Sequence, residues 1–383
     1  MTLTDTAPLH KGLDNVYVCE SKICFIDGEN SRLYYRGYSI EELSQKSTFE
    51  EVAYLLLNGS LPTTKNLTSF KNELLSASTP SRRLLEWVVE NSRNSDPMDI
   101  LRTSLSMLSV TDKGLESGGP DANLTRGVHI LGAAPTIVAA ISRARRNLST
   151  VPSPGLSSLA ANFLVMHRGE EPDEFDTKAM DQALILHAEH DLNASTFSAI
   201  VTASTLSDMY SAVTAAVGTL KGPLHGGANE AAVRFVEHVG TPANAEKEVN
   251  DTLDRGQRIM GFGHRVYKNY DPRYKILKAT SKELCERKGL ATMYATAEAI
   301  EKAAVARLSD HKILPNVDFF SGIVFKALGI ETELFTPVFT MSRISGWAAH
   351  VLEYLSDNRL IRPKSVYTGE LDRRYIPVEE RGA

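Results

Sequence analysis

Apolar residues along the chain recur mainly at three- and four-residue intervals, and the breaks between these runs carry helix punctuation. Ser39-Ile40-Glu41-Glu42 and Thr48-Phe49-Glu50-Glu51 read as capping boxes, the second opening a helix through Leu57 that stops at Asn58-Gly59. Pro80 and Pro97 stand where first helical residues belong, ahead of RRLLEWVVE and MDILRTSLSML. The same periodicity predicts helices over 177–192, 195–220, 228–239, 245–258, 272–288, 294–308, 318–328 and 337–356. Strand patterning is confined to ICFIDGENSRLYYRG (23–37), a hairpin turning at Asp27-Gly28. No βαβ alternation and no fixed-period repeat is visible, which argues against Rossmann, barrel and solenoid folds. SGGP (117–120) and VPSPG (151–155) read as loops, and the Ala, Ser, Thr and Gly density over 194–233 implies helices in close approach. The pattern predicts an all-α protein in two layered helical parts, with a minor N-terminal β-hairpin.

Bulk properties narrow this only modestly. A chain of 383 residues suggests two domains, and 42% hydrophobic with 23% charged residues is ordinary for a globular protein. The net charge of −5 argues against a nucleic-acid surface. Cys19, Cys24 and Cys285 show no metal spacing, which fits a reducing cytoplasm, and MTLTDTAPLHKG has no apolar signal core. The apolar run 129–141 is too short to span a bilayer and meets Arg143, Arg145 and Arg146; the longer run 198–220 contains Asp208 and many hydroxyl residues. A soluble protein without membrane contact is expected.

Chemistry is concentrated in a few stretches. MGFGHRVYKNYDPRY (260–274) sets His264 beside two glycines, follows it with Arg265 and Lys268, and places Asp271-Pro272 as cap and first residue of a helix bearing Arg273. Taken alone, its GFGH is no Walker or dinucleotide loop and fits an ordinary helix C-cap. LKGPLHGGANE holds His225 just before a helix, where the macrodipole disfavours imidazolium; a neutral imidazole there can donate to a developing enolate, although a turn-filling histidine has the same setting. In PNVDFFSG, Asp318 is either a helix cap or a carboxylate base made more basic by two phenylalanines. HAEHD puts His187 and His190 three apart on one helix face, with His190 suited to an anionic ligand. FTMSRISGWAAHVLEYL carries Arg343, Gly346 and His350 along one face, and an arginine on so apolar a helix is costly unless it meets an anion. Nothing local raises Arg362, in NRLIRPKS, above a surface arginine. Together these histidines, one aspartate and three arginines suit carbon–carbon chemistry on a small dicarboxylate.

With GPLHGGANE, MGFGHRVYK-x-x-DPRY and NVDFFSG in that order, and YRGYSIEEL, FEEVAYLLLNGSLP and RPKSVY flanking them, the chain resembles the citrate synthase family of the short type found in archaea and many bacteria. The resemblance covers nearly the whole chain. It implies an almost wholly helical homodimer whose large domain (1–222 and 326–383) and small domain (223–325) close over oxaloacetate. It implies that His225 hydrogen-bonds the acetyl-CoA thioester oxygen, Asp318 removes a methyl proton, and His264 polarises the keto group of oxaloacetate. His190, Arg273 and Arg343 would bind oxaloacetate, with Arg362 reaching across from the second subunit. Gln257, Arg258, Ile259, Met260, Gly261, Lys268 and Lys312 would hold CoA. Citryl-CoA is then hydrolysed to citrate and CoA, the entry step of the tricarboxylic acid cycle, with acetyl-CoA as a substrate and no metal or other cofactor.

Three rivals stand beside this. A 2-methylcitrate synthase would use propionyl-CoA on the same scaffold, and the resemblance implies Tyr-Ala-Glu-His-Ser in that branch where this chain has HAEHD. A metal-dependent hydrolase could be built on His187, His190 and Asp191, and a catalytically silent helical scaffold would need none of these residues.

Overall fold

Helix starts are set by side chains that take the first free backbone amides. The structure, a computed structural model, describes residues 8–381 except 14, 112–119, 265 and 312. Its helices begin with α1 (Ile40–Lys46), α2 (Phe49–Asn58), α3 (Thr64–Ala77), α4 (Arg82–Asn91), α5 (Pro97–Thr111), α6 (Pro120–Arg145), α7 (Leu159–Arg168) and α8 (Glu174–His187). They continue with α9 (Ala194–Ala203), α10 (Met209–Leu220), α11 (Ala228–Val239), α12 (Ala245–Asp254), α13 (Pro272–Arg287), α14 (Ala291–Leu308), α15 (Val317–Ala327) and α16 (Phe335–Ser356). The predicted hairpin forms from β1 (Cys24–Asp27) and β2 (Arg32–Tyr35), with Cys24 opposite Tyr35, and β3 (Tyr38–Ser39) adds a third antiparallel strand.

Much of the punctuation acts as read. Thr48 and Glu51 complete the capping box of α2, which Gly59 ends at φ 83°. Ser39 caps α1 through Glu42, and Pro97 opens α5. Pro80 does not open α4: Ser81 is the cap, so the helix starts two residues after the proline. The predicted helix 195–220 is two, α9 and α10, because Asp208 accepts from Ser211 N and starts a new helix there. The helix predicted over 177–192 stops at His187, so His187 and His190 do not share a helix face. The helix predicted over 245–258 stops at Asp254, followed by left-handed Gly256. The loop expected at 117–120 lies outside the described residues apart from Pro120, which opens α6.

Two long helices form the centre. α16 is buried without a break from Phe335 to Val351 and packs on α6, α9, α2, α10 and α8. α6 is longer than its apolar run suggested. Its residues Ala122–Arg145, with a mean hydropathy of 1.4 in the most apolar window, are long and apolar enough to cross a membrane, yet 78% of that window is buried by neighbouring helices. A Cβ at Gly132 would stand 2.5 Å from Leu74 O, so glycine lets α3 lie directly on α6. Around this centre, α11 to α15 pack mainly on one another, and α11, α13 and α15 also reach α16 or α8.

Candidate active site

The turn between α10 and α11 folds back so tightly that a Cβ at Gly226 would stand 2.4 Å from Leu220 O. It holds His225, whose Nε2 accepts the Ser195 backbone N–H at 3.3 Å and lies 2.8 Å from Ser195 Oγ. An amide N–H can only donate, so Nε2 is the bare nitrogen and a neutral ring carries its proton on Nδ1. Ser195 Oγ is itself held by Trp347 Nε1, which donates at 3.1 Å, and lies 2.7 Å from Asn193 Oδ1. Burial, helped by Arg343, pushes the His225 imidazole down to about 4, so it is neutral at pH 7.

His264 has the opposite tautomer. Its Nδ1 accepts the backbone N–H groups of Val266 at 3.0 Å and Tyr267 at 3.2 Å, which leaves the proton on Nε2. Burial pushes this ring to about 4 as well, opposed by Asp271 and assisted by Arg273. The glycines before it work as the sequence suggested: Gly261 and Gly263 adopt φ of 84° and 85°, and a Cβ on Gly261 would stand 2.8 Å from Phe319 Cα. The stretch is not a helix C-cap. Phe262 forms a bridge to Pro315, Gly263 N donates to Leu314 O at 2.8 Å, and Asn316 N donates to Gly261 O at 3.0 Å. His190 completes the ring cluster, 5.0 Å from His264 between centroids, with Nε2 3.2 Å from the Tyr267 hydroxyl.

Asp318 does not cap its helix. Asn316 does, accepting from Asp318 N at 2.9 Å, and the Asp318 carboxylate has no hydrogen-bond partner among the described residues. The residue keeps some accessible surface, but protein ringing the carboxylate pushes it up to about 6, against the pull of Arg273 and Arg343. His225, His264 and Asp318 are thus half-buried, whereas His190, Arg273 and Arg343 are 8%, 2% and 2% exposed. Electrostatics link the two sets: Arg343 acts on His225 and Asp318, and Arg273 acts on His190, His264 and Asp318.

The C-terminus of α8 supports both arginines, where last-turn carbonyls lack helical partners. Arg343 Nε donates to His187 O at 2.7 Å and Arg273 Nη1 to Leu186 O at 3.4 Å. Arg273 also meets Asp271 through Nε at 2.9 Å and Nη2 at 2.7 Å. Asp271 takes two further donors, Arg273 N and Val317 N, so all its lone-pair directions are used. Atoms of His190, His264 and Asp271 lie within 4.8 Å of one another, but a saturated carboxylate beside a guanidinium does not fit a cation. His187, His190 and Asp191 form no such group among the described residues; His187 is a core histidine between Phe325 and Phe339, pushed by burial to about 3.

Other residues singled out in the sequence stand apart. Arg362 is exposed in the segment after α16, without a partner among the described residues. Gln257 and Arg258 are exposed, Ile259 and Gly261 buried, Met260 between; Lys268 is exposed and paired with Glu29 of the hairpin turn. Lys312 and Arg265 lie outside the described residues. Sequence reasoning missed Asn193, Ser195 and Trp347. Asn-x-Ser after HAEHD and a tryptophan on an apolar helix, whose N–H needs an acceptor, were the available signals.

Comparison with known proteins shows the family. The family described as citrate synthase, C-terminal domain, matches residues 12–364. A citrate synthase of Deinococcus radiodurans is 43% identical over 371 residues, covering 97% of this chain and 98% of its own length. A 2-methylcitrate synthase of Shewanella oneidensis is 39% identical over 372 residues, covering 97% of each chain. The solved ternary complex of the citrate synthase of Thermoplasma acidophilum with carboxymethyl coenzyme A and oxaloacetate superposes with a TM-score of 0.93 at 35% identity, over 98% of this chain and 100% of that one. By its sequence from end to end and by its fold, the chain belongs to the citrate synthase family.

Proposed function

We propose that this chain is a citrate synthase, an acyltransferase that condenses acetyl-CoA with oxaloacetate and water to give citrate and CoA. The observation that carries the reading is a pair of neutral imidazoles with opposite tautomers, His225 and His264, and a carboxylate held near 6, Asp318, which feels the same Arg343 as the first ring and the same Arg273 as the second. Asp318, largely ionised at neutral pH, takes a proton from the acetyl methyl group while His225 Nδ1–H donates to the thioester oxygen. The enol attacks the keto carbon of oxaloacetate as His264 Nε2–H donates to the keto oxygen and protonates the forming alkoxide. Water then cleaves the citryl thioester and releases CoA.

Oxaloacetate is a dianion, and Arg343 offers it two terminal nitrogens that have no hydrogen-bond partner among the described residues. Arg273 and His190 supply further donors, and Arg362 of a second copy completes the set in a homodimer. The segment after α16 supports that assembly: it leaves Leu360, Val366, Tyr367 and Tyr375 exposed near Arg362 in sequence. Residues 257–261 with Lys268 and Lys312 hold CoA, and the part 223–325 closes toward the remainder (1–222 and 326–383). Arginines and oriented N–H groups handle the charge that develops, so the steps ask for no metal. Three free thiols, Cys19, Cys24 and Cys285, suit a reducing cytoplasm.

The test is direct: mix oxaloacetate with acetyl-CoA and follow free thiol. CoA release that needs oxaloacetate is expected, and its absence sinks the reading. The Shewanella oneidensis relative favours a second substrate, propionyl-CoA. One methylene is worth about 1–3 kcal/mol of discrimination, so the specificity constants for the two thioesters decide between them. A clear preference for propionyl-CoA would make the enzyme a 2-methylcitrate synthase.

A further inference from the structure

Between α8 and α9 the chain runs through an irregular linker, Ala188–Asn193, in which Asp191 has φ 54°. The residues on both sides of Glu189 serve the site: His187 O receives Arg343 Nε, and the His190 ring meets those of His264 and Tyr267. Loose linkers pay an ordering cost when ligand binds. This one is tied to two other elements, β2 and α16, through Glu189. The Tyr35 hydroxyl, reaching in from β2, donates to Glu189 O at 2.8 Å and accepts from Glu189 N at 3.3 Å. The Glu189 side chain is held by His350 of α16, Nε2 to Oε1 at 2.9 Å. Tyr35, Glu189 and His350 are 0%, 0% and 2% exposed.

Gly346 lets this happen. A Cβ there would stand 2.1 Å from Glu189 Oε2 and 2.5 Å from Ala188 O, so the linker lies directly on the backbone of α16, one turn beyond Arg343. Glu189 Oε2 has no hydrogen-bond partner among the described residues. A buried carboxylate with one idle oxygen costs stability, and an apolar residue would pack there more cheaply. Its negative charge also helps keep the buried Arg343 protonated.

We propose that Tyr35 and His350 are positioning residues for the keto-diacid site, acting through Glu189 to hold His190 and Arg343 in their binding geometry before substrate arrives. The inference rests on the assignment of His190 and Arg343 to oxaloacetate. Neither Tyr35 nor His350 touches substrate; each removes freedom that binding would otherwise have to remove.

The test measures oxaloacetate affinity, kcat and the thermal midpoint in four variants of the full chain. Tyr35→Phe loses one hydroxyl without changing shape, and it is expected to weaken oxaloacetate binding about five- to tenfold with kcat within about twofold. Glu189→Ala is expected to weaken it further, and Glu189→Gln, which keeps an acceptor for His350, to recover part of that loss. A purely structural role gives another pattern: the thermal midpoint falls in Tyr35→Phe and Glu189→Ala while affinity stays unchanged, which overturns the proposal. Arg343→Leu separates the two levels. If it weakens binding and Tyr35→Phe does not, only the positioning role fails; if Arg343→Leu itself leaves affinity intact, the site assignment fails and the positioning role with it.

Discussion

The segment 261–273 and helix α16 each bring an arginine to the site, by different physical means. In the first, glycines with positive φ and a bridge to residues 314–316 shape a loop that leads into α13, where Arg273, the second helical residue, is already bound to Asp271 through Nε and Nη2. In the second, an unbroken buried helix holds Arg343, whose only hydrogen bond among the described residues is from Nε to the end of α8. The Arg273–Asp271 pair is close to neutral, so it contributes aimed N–H groups and little net charge. Arg343 makes no ion pair among the described residues, although the Glu189 carboxylate helps keep it charged, and burial pulls its guanidinium below the usual arginine value. On the proposed reading, affinity for a dianion rests chiefly on the arginine inside α16, while Arg273, on the first turn of α13, serves orientation and folding.

Breaking the Asp271–Arg273 pair is expected to have the largest effect. Arg273→Leu strands Asp271, 1% exposed, without its counter-charge, and denaturant titration should show a loss of about 3–5 kcal/mol. Adding Asp271→Asn to that variant should restore much of it, since no buried anion then remains. If the single variant is as stable as the parent, Arg273 and Asp271 are not a coupled pair.

A smaller effect, of a different kind, is expected at α16. Arg343→Leu should weaken oxaloacetate binding about 10- to 100-fold, the range of a charge-assisted contact, while costing less stability than Arg273→Leu. Calorimetric titration with oxaloacetate gives the first number and denaturation the second. Equal stability losses in the two variants would erase the distinction between the arginines.

The smallest effect is the pH dependence of stability, in which the imidazoles oppose the carboxylate. His225 and His264 are held near 4, below the 6.5 of a free histidine. Between those values the unfolded chain binds protons that the folded chain refuses, so their contribution is full above 6.5 and is lost as pH falls toward 4. Asp318 is raised from 3.8 to about 6, so the folded chain keeps a proton that the unfolded chain releases, and stability falls as pH rises through that window. His264→Gln should therefore flatten the acid loss of stability, and Asp318→Asn should gain stability relative to the parent at pH 7 but not at pH 4. Denaturation midpoints across this range check both signs.

Legibility in the sequence followed the range of the forces involved. α2 was readable because its capping side chains and its helix-ending glycine act within a few residues. The break between α9 and α10 was not, since Ser204–Asp208 continues a run of small residues and only the competition of the Asp208 cap divides it. Candidate residues in short motifs, His225, His264, Arg273 and Asp318, were visible as types suited to the chemistry. Their states were not: both tautomers depend on backbone amides folded onto the rings, and the freedom of Asp318 depends on Asn316 taking the cap. Asp271 caps α13 as read, but nothing local showed that its carboxylate would also take the Arg273 guanidinium. Glu189 left no signal at all. Its partners, Tyr35 and His350, lie 154 and 161 residues away along the chain.

The central claim is that Asp318 and His225 enolise the acetyl group while His264 serves the other substrate. Exchange of the acetyl-CoA methyl protons with deuterated water, in the presence of a saturated dicarboxylate that occupies the keto-diacid site without reacting, reads the first step alone. Exchange is expected in the parent and in His264→Gln, and is expected to fall by about 10²- to 10⁴-fold in Asp318→Asn. Undiminished exchange in Asp318→Asn would contradict the account.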